Sequence, residues 1–356
     1  MNISILDFLA EKKKPIDDVI RKYLPEKVNE KYIKWLLGKP SYEYTTPAIQ
    51  AALSDPIWDF LNRGGKRWRP ALFLLFTEAL GGDAKKVMDF TMTLEMLHEG
   101  SIMVDDIEDS SDMRRGKPCT HKIFGEDIAI NAGNFMYFLA FAPFIKHKDD
   151  FGPDVLNRAL LSTLEEMMRI HYGQASDIAW HKGLADADNI KEGEYLQMCA
   201  YKTGVLARLA ARLAVSLSGG SEELEEKLGR FSESIGVAFQ IQDDIMNLAP
   251  TEGWGKETGD DINEGKRTLL VIHTIRNAEK QDRERLLEIL KMHTKDRKLI
   301  EEAISIIRRY GSIQYAKEFA RDMVRKAWSD VEPLIPESEA KQKIRAFADF
   351  MVERDI

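Results

Sequence analysis

The 356-residue sequence is poor in the residues that build disulfides, zinc sites and hydrolase triads. It contains two cysteines, Cys119 and Cys199, and their positions do not match the spacing of a metal or redox motif. We therefore expect free thiols in a reducing compartment, which predicts a cytoplasmic protein. The seven histidines are too scattered to predict a zinc site, and no Ser-His-Asp or Cys-His arrangement is recognisable.

Long apolar runs and a basic surface are also missing. The N-terminus has a short apolar stretch at 3–10 that is followed by Glu11 and three lysines, so we expect no signal sequence and no transmembrane segment. The formal net charge of −8 argues against a nucleic-acid-binding protein. The glycine-rich stretch at 253–259 lacks the Gly-Lys-Ser/Thr of a nucleotide-binding loop.

Two acidic clusters are present instead, Asp-Asp-Ile-Glu-Asp at 105–109 and Asp-Asp-Ile-Met-Asn at 243–247. On a helix, residues four apart project from one face, so Asp105 and Asp109 share a direction while Asp106 is turned aside. Carboxylate oxygens suit Mg²⁺, which keeps several waters and is usually completed by substrate phosphates. Acidic runs are more often solvated helix faces, so either cluster alone leaves both interpretations open.

Cations accompany both clusters. Arg114 and Arg115 follow the first one, and guanidinium groups hold phosphate oxygens in pairs. Four cations surround the Gly-Gly turn at 63–69, just before an apolar helix whose N-terminal amides favour an anion. Lys256 and Lys266 follow the second cluster. Each group taken separately also fits pairing with nearby acids, but their combination indicates a diphosphate bound through metal ions.

Taken in order, these motifs resemble the trans-isoprenyl diphosphate synthases, or polyprenyl synthetases, which extend allylic diphosphates with isopentenyl diphosphate. The resemblance covers roughly 60–275. It implies an all-α, single-domain bundle of about a dozen helices around a central apolar cavity, and a homodimer. The matching segments are 64–67 (Gly-Gly-Lys-Arg), 105–109, 201–204 (Tyr-Lys-Thr-Gly), 239–244 (Phe-Gln-Ile-Gln-Asp-Asp) and 264–268 (Glu-Gly-Lys-Arg-Thr).

The resemblance also implies roles for individual residues, with about three Mg²⁺ ions on the allylic diphosphate. The implied metal ligands are Asp105, Asp109 and Asp243. The residues implied to hold the allylic diphosphate are Arg114, Lys202, Lys256 and Lys266. Those implied to bind isopentenyl diphosphate are Lys66, Arg69, His98 and Arg115. Those implied to lie beside the reacting allylic carbons are Thr203 and Gln240. Asn247 departs from the family, where many members have a third aspartate, and we expect a small effect.

The implied reaction needs no nucleophilic side chain. Metal ions and cations neutralise the leaving diphosphate, so that the allylic C–O bond can ionise and the double bond of isopentenyl diphosphate can attack. Loss of a proton, for which the departing diphosphate is the nearest base, gives a chain five carbons longer. A class I terpene cyclase would not need the cationic turn at 64–66. A noncatalytic subunit would have lost aspartates, and a helical scaffold would not explain the combined motifs.

Product length is expected to depend on what closes an apolar tunnel beneath the first aspartates. Gly100 and Ser101 lie about one turn before Asp105 and are too small to stop a growing chain. In the family, an aromatic residue at either position limits the product to fifteen carbons, so we expect a geranylgeranyl product of twenty. A longer product stays open as an alternative. It also stays open that Tyr137 and Phe138 are ordinary aromatic residues of a helix core. The positions that the resemblance implies for the pocket floor are Tyr137, Phe138 and His171.

Apolar periodicity predicts the helices, and glycine and proline predict their ends. Residues 1–45 are expected to form an amphipathic extension that packs on the bundle, with docking to a membrane surface as the alternative. The predicted helices are 16–37, 47–62, 69–80, 84–109, 126–147, 153–180, 188–218, 221–249, 265–278, 281–292, 297–309, 312–331 and 338–353.

Overall fold

The computed structural model describes residues 4–249 and 258–353. This part of the chain is helical apart from one antiparallel hairpin, β1 (Met113–Arg114) and β2 (Lys117–Pro118), so the predicted all-α class is confirmed. The helices of the first half are α1 (Ile5–Tyr23), α2 (Glu30–Leu37), α3 (Thr46–Ile49), α4 (Asp55–Leu61), α5 (Trp68–Ala79), α6 (Ala84–Val87), α7 (Thr91–Glu108), α8 (Thr120–Phe124), α9 (Glu126–Leu139), α10 (Ala142–Lys146) and α11 (Pro153–His181).

The helices of the second half are α12 (Glu192–Cys199), α13 (Val205–Leu217), α14 (Glu222–Leu248), α15 (Asp260–Asn263), α16 (Leu269–Asn277), α17 (Lys280–Lys291), α18 (Arg297–Arg309), α19 (Ser312–Val331) and α20 (Glu339–Glu353). Two π-helical turns, Gln50–Ser54 and Ala200–Gly204, join neighbouring helices. Wider turns of this kind are rare and often occur at functional sites.

The described residues form two compact units. The first unit contains 4–163, 209–225 and 337–343, and the second contains 164–208, 226–249, 258–336 and 344–353. The single domain expected from the sequence stays a prediction.

In the first unit, α5 is buried on nearly every side and packs on α1 and α7. Helix α7 also packs closely on α9, because glycines occupy the point of contact. A Cβ atom on Gly133 would lie 2.7 Å from Val104 Cγ2, and one on Gly100 would lie 3.0 Å from the Gly133 carbonyl oxygen. This close approach brings α9 next to the helix that ends in the first acidic cluster.

In the second unit, glycines hold the π-helical turn Ala200–Gly204 from two sides. A Cβ atom on Gly173 of α11 would lie 2.4 Å from the backbone nitrogen of Lys202. One on Gly236 of α14 would lie 2.6 Å from the Cα atom of Gly204. The turn that carries Lys202 and Thr203 is therefore fixed by backbone contacts with α11 and α14.

Most predicted helices agree with the observed ones to within a few residues, but the predicted helix 16–37 is wrong. The chain instead forms α1, which begins at Ile5, and α2, which begins at Glu30. Pro15 lies inside α1, so it does not mark a helix start. The break between Tyr23 and Glu30 contains Pro25, and the Asn29 side chain caps α2 by accepting a hydrogen bond from the Tyr32 amide at 2.9 Å.

One helical stretch, Glu126–Lys146, is long and apolar enough to cross a membrane by length and composition, with a mean hydropathy of 1.5. This corrects the expectation that no such stretch is present. In the structure the stretch is divided into α9 and α10 at Ala140–Phe141, and half of its apolar window is buried. Helix α9 packs on α7, α8 and α4, and its buried apolar residues belong to the core of the first unit, whereas Ile130 and Phe138 are exposed.

We predict that Gly236→Ala lowers the free energy of unfolding by about 1–3 kcal/mol, because the added methyl group meets backbone that cannot move aside. Denaturant unfolding followed by circular dichroism measures the change. Gly193→Ala is the matched control, since nothing lies within 4 Å of its added Cβ atom, and it should not destabilise the protein. Equal unfolding midpoints for Gly236→Ala and the wild type would contradict the close contact at Gly204.

Candidate active site

The first acidic cluster lies at the C-terminal end of α7. Asp105 and Asp109 are partly exposed, whereas Asp106 is 1% exposed, as the helical spacing predicts. Asp106 Oδ1 accepts a hydrogen bond from Arg114 Nε at 2.8 Å and pairs with Arg114 Nη2 at 2.6 Å. Arg114 Nη2 also lies 3.9 Å from Asp105 Oδ2. Asp106 thus holds Arg114 beside the carboxylate that is open to solvent.

The β1–β2 hairpin presents Arg114 and Arg115. Its turn residues Arg115 and Gly116 have φ values of 52° and 74°, which a two-residue hairpin turn requires. Arg63 Nη1 donates to the carbonyl oxygens of Pro118 at 2.9 Å and of Arg114 at 3.3 Å. Arg63, one of the four cations around the Gly-Gly turn, therefore supports the hairpin.

Arg67, another of those four cations, is 5% exposed and lies among carboxylates. Its Nη1 atom donates to Glu95 Oε1 at 2.6 Å and to Glu99 Oε1 at 2.8 Å, and its Nε atom donates to Asp17 Oδ1 at 2.9 Å. These contacts hold the turn against α1 and α7. Neither Glu95 nor Glu99 is predicted from the sequence as a partner of this turn. Both acids lie among apolar residues of α7 that are buried, and this position is the signal in the sequence that could have indicated buried cationic partners.

Arg69 and His98 lie in direct contact. Arg69 Nη1 lies 3.1 Å from His98 Nε2, and the Arg69 guanidinium stacks over the Trp68 ring at 4.2 Å. Burial is the main cause that holds the pKa of His98 well below its usual range, and four nearby arginines add to it. The neutral imidazole can accept a hydrogen bond from Arg69. Lys66 lies exposed on the neighbouring turn.

In the second unit, a chain of hydrogen bonds supports the second acidic cluster. Thr203 Oγ1 donates to Gln240 Oε1 at 2.9 Å, and Gln240 Nε2 donates to Asp244 Oδ1 at 2.9 Å. Tyr195 OH donates to Asp244 Oδ2 at 2.6 Å. Burial, followed by the neighbouring aspartates, raises the pKa of Asp244 to about 8. Thr203 and Gln240 are thus in contact, while Asp243 is partly exposed.

Lys202 is held by Asp177, an acid that is not predicted from the sequence. Its Nζ atom donates to Asp177 Oδ2 at 2.5 Å, and Asp177 is 7% exposed on α11. Asp177 lies one helical turn after Gly173, whose missing side chain permits the approach of the Lys202 backbone. The two residues together determine where the ammonium group lies.

Asn247, the departure from the family pattern, has a clear local role. It is 3% exposed, and its Oδ1 atom accepts a hydrogen bond from the Asp261 amide at 3.2 Å. Its carbonyl oxygen accepts one from the Gly259 amide at 2.9 Å. Asn247 therefore holds the start of α15. Lys266 Nζ lies 3.8 Å from Asp261 Oδ1, and Lys256 lies outside the described residues.

The donor set of the aspartates fits metal ions that bind together with substrate. Within residues 4–249 and 258–353, no three His, Cys, Asp or Glu side chains are grouped to hold an ion by themselves. Mg²⁺ usually takes one or two carboxylates and completes its shell with waters and substrate phosphates. Asp105, Asp109 and Asp243 are partly exposed carboxylates of this kind.

The predicted chain-length positions differ in their surroundings. Tyr137 is partly buried, which raises its pKa, and its Cδ1 atom lies 3.4 Å from the Cβ position of Gly100. Ser101 Oγ donates to the His98 carbonyl oxygen at 2.8 Å. Phe138 is 75% exposed, and His171 is also exposed. These two side chains are therefore not buried in this chain, and their place at the pocket floor stays a prediction. Phe138 lies opposite the buried face of α9.

Comparisons with known proteins agree with these motifs. The polyprenyl synthetase family model matches residues 50–307, a range that contains every predicted site residue. The short chain isoprenyl diphosphate synthase of Methanothermobacter thermautotrophicus is 35% identical over 339 residues, which cover 95% of this chain and 98% of the relative. The geranylfarnesyl diphosphate synthase of Natronomonas pharaonis is 33% identical, with 83% and 87% covered. The crystal structure of geranylgeranyl pyrophosphate synthetase from Pyrococcus horikoshii has a TM-score of 0.83 at 32% identity, with 98% of each chain covered.

Proposed function

Because the chain belongs to the polyprenyl synthetase family and is a trans-prenyltransferase that uses isoprenoid diphosphates, we propose that it is a Mg²⁺-dependent synthase with a twenty-carbon main product. The observation that carries this proposal is that each acidic motif lies in the same unit as a cation held by a buried carboxylate. Asp106 holds Arg114 in the first unit, and Asp177 holds Lys202 in the second.

As the family resemblance implies, Asp105, Asp109 and Asp243 are the residues that would hold about three Mg²⁺ ions on the allylic diphosphate. When bound, these ions supply positive charge that stabilises the departing diphosphate. Arg114 adds charge that does not depend on a change of protonation near neutral pH, and Lys202 is the second cation. Because buried acids fix both cations, little reorganisation is needed as negative charge develops on the leaving group.

Thr203 and Gln240 stabilise the positive charge that forms on the allylic carbons. The Thr203 hydroxyl donates its proton to Gln240, so the lone pairs of its oxygen stay available to a nearby cation. Gln240 is oriented in turn by its hydrogen bond to Asp244. The side chains therefore act as fixed dipoles, and none of them is required as a nucleophile.

Isopentenyl diphosphate is bound in the first unit by Lys66, Arg69, His98 and Arg115. Arg69 and His98 are in contact, and the electrostatic effect of Arg115 reaches His98. A class I terpene cyclase would not need such a second cationic site beside the first acidic motif. The cluster therefore favours elongation over cyclisation.

We predict that Asp105→Ala and Asp243→Ala each lower the elongation rate by about 10²-fold or more, because they remove metal ligands that act in the transition state. The assay measures transfer of label from isopentenyl diphosphate into longer prenyl products, with and without Mg²⁺. Asp112→Ala is the control, since Asp112 is an exposed acid near the first motif that pairs with Lys122. Wild-type rates in either motif variant, with folding unchanged, would refute the metal assignment.

We also predict that Mg²⁺, isopentenyl diphosphate and farnesyl diphosphate give a twenty-carbon alcohol after dephosphorylation and chromatography. A series of longer products would support the synthase activity but reject the twenty-carbon product length. Ser101→Phe should shift the product towards fifteen carbons, with Ser101→Ala as the control of unchanged length. Gly100→Phe should mainly destabilise the protein, because its Cβ position already lies 3.0 Å from the Gly133 carbonyl oxygen.

A homodimer is part of the proposal, and the exposed face of α9 supports it. Ile130 and Phe138 are 44% and 75% exposed on this helix, and large exposed apolar side chains favour an interface. We predict that Phe138→Lys lowers the mass measured by light scattering from two chains to one. Leu184→Lys is the control, since Leu184 is equally exposed in a turn of the second unit and its change should leave the dimer intact.

The cytoplasm is the proposed compartment. Cys119 and Cys199 are both buried free thiols, which suits a reducing environment. Recovery of the native protein in a secreted fraction would contradict this assignment.

A further inference from the structure

Glu99 on α7 is a buried acid that the proposed reaction does not use. Its side chain is completely buried, and it contacts two arginines from different loops. Arg115 Nη2 donates to both carboxylate oxygens, at 3.1 and 3.0 Å, and Arg67 Nη1 donates to Oε1 at 2.8 Å. Arg115 is a proposed ligand of isopentenyl diphosphate, so Glu99 contacts the binding machinery through it.

Glu99 belongs to a cluster of three acids and three cations. The acids are Asp17, Glu95 and Glu99, and the cations are Arg67, Arg115 and Lys13, which pairs with Asp17. A single nitrogen of Arg67 donates to both Glu95 and Glu99, which brings two carboxylates together in a buried place. Burial is the first cause, and Glu95 the second, that raise the pKa of Glu99 to about 7, although Arg115 and Arg67 oppose the rise. Glu99 can therefore take up a proton near neutral pH.

The position of Arg115 makes this proton relevant to substrate. Arg115 Nη1 donates to the Gly64 carbonyl oxygen at 2.7 Å, and its Nη2 atom is directed at Glu99. Its side chain is 22% exposed, so the guanidinium group is still accessible to solvent. An ionised Glu99 neutralises the charge that Arg115 would offer to a diphosphate. A protonated Glu99 leaves that charge available.

We propose that Glu99 is a positioning residue that couples the binding of isopentenyl diphosphate at Arg115 to the uptake of one proton. The incoming diphosphate places negative charge next to Arg115, which disfavours the ionised form of Glu99. A proton taken from solvent then bonds to a carboxylate oxygen of Glu99, and the Arg115 cation pairs with the substrate. No covalent bond of the substrate changes in this step. The inference rests on the proposed assignment of Arg115 to isopentenyl diphosphate.

The sign of the pH dependence follows from this coupling. The protonated form binds more tightly, so the KM for isopentenyl diphosphate should rise as pH increases through about 7, by at most about tenfold per pH unit for one proton. The charged groups that face Glu99 are Glu95 from α7, Arg67 from the turn before α5 and Arg115 from the hairpin, with Asp17 of α1 reached through Arg67. His98 stays neutral across this range, because its pKa lies well below its usual value.

The test compares the pH profiles of KM and kcat for the wild type, Glu99→Gln and Glu95→Gln. Glutamine at 99 keeps an oxygen that can accept from Arg115 but cannot titrate, so the rise of KM above pH 7 should disappear. Glu95→Gln removes the neighbouring carboxylate without touching Arg115, so the transition should move to lower pH and remain. A merely structural role for Glu99 would lower stability or kcat without removing the pH dependence of KM.

Calorimetry of isopentenyl diphosphate binding, without an allylic substrate, gives a second readout that does not require turnover. Titrations in buffers of different ionisation enthalpy measure the protons taken up, and Glu99→Gln gives the baseline for protons that the ligand itself exchanges. Wild type should take up more protons than the variant. Equal proton uptake, or identical KM profiles for Glu99→Gln and the wild type, would overturn the proposal.

These outcomes are distinguishable from failure of the proposed function. If the wild type elongates no allylic diphosphate, the synthase assignment fails, whereas normal elongation with identical pH profiles rejects only the role of Glu99. Circular dichroism confirms that each variant is folded. If Glu99→Gln does not fold, the coupling is tested on the wild type alone. Proton uptake is then measured as isopentenyl diphosphate binds at about pH 8, where the ligand is fully ionised. No proton uptake there would refute the coupling.

Discussion

The burial of carboxylates on α7 is the constraint on which the first unit depends. Glu95, Glu99 and Asp106 are nearly or completely buried, and a buried carboxylate is costly unless a cation or a proton compensates it. The compensating cations are Arg67 and, from the hairpin, Arg114 and Arg115. Because they come from two loops, the same pairs that stabilise the helix also determine the positions of the Gly-Gly turn and the hairpin. The proposed substrate ligands on these loops are therefore oriented before substrate arrives.

In the second unit, a buried carboxylate is compensated by neutral hydrogen-bond donors. Asp244 is buried, but its oxygens accept hydrogen bonds from Tyr195 and Gln240, and its pKa is raised. Asp177 pairs instead with Lys202, on a π-helical turn fixed by backbone contacts at Gly173 and Gly204. The networks differ in chemistry, because neutral hydrogen-bond donors and Asp244 orient Thr203 and Gln240, the residues proposed to lie beside the reacting carbons. The charged pair lies where charge is useful, at a proposed diphosphate ligand.

Much of this organisation was predictable from the sequence, because the evidence is local in the chain. The helical spacing at 105–109 correctly separated the exposed Asp105 from the buried Asp106, and glycine and proline marked most helix ends. The partners Glu99 and Asp177 were not predictable, since an acid becomes a partner only when a distant loop approaches it. The exposure of Phe138 also depends on which face of α9 meets α7, and that choice follows from the glycine contact at the crossing.

The four cations around the Gly-Gly turn show why sequence clustering alone overestimates a binding site. Their spacing suggests one phosphate-binding group, yet Arg67 pairs with two buried carboxylates and the partly exposed Asp17, and Arg63 pairs with Asp59 and two carbonyl oxygens of the hairpin. Such cations would have to leave charged or polar partners before they could bind a phosphate, which is costly in a buried site. Arg69 differs, because its partner His98 is neutral and does not compete for its charge. Within this turn, the charge state of the existing partner therefore separates Arg69 from Arg63 and Arg67, and the same factor makes the protonation of Glu99 matter for Arg115.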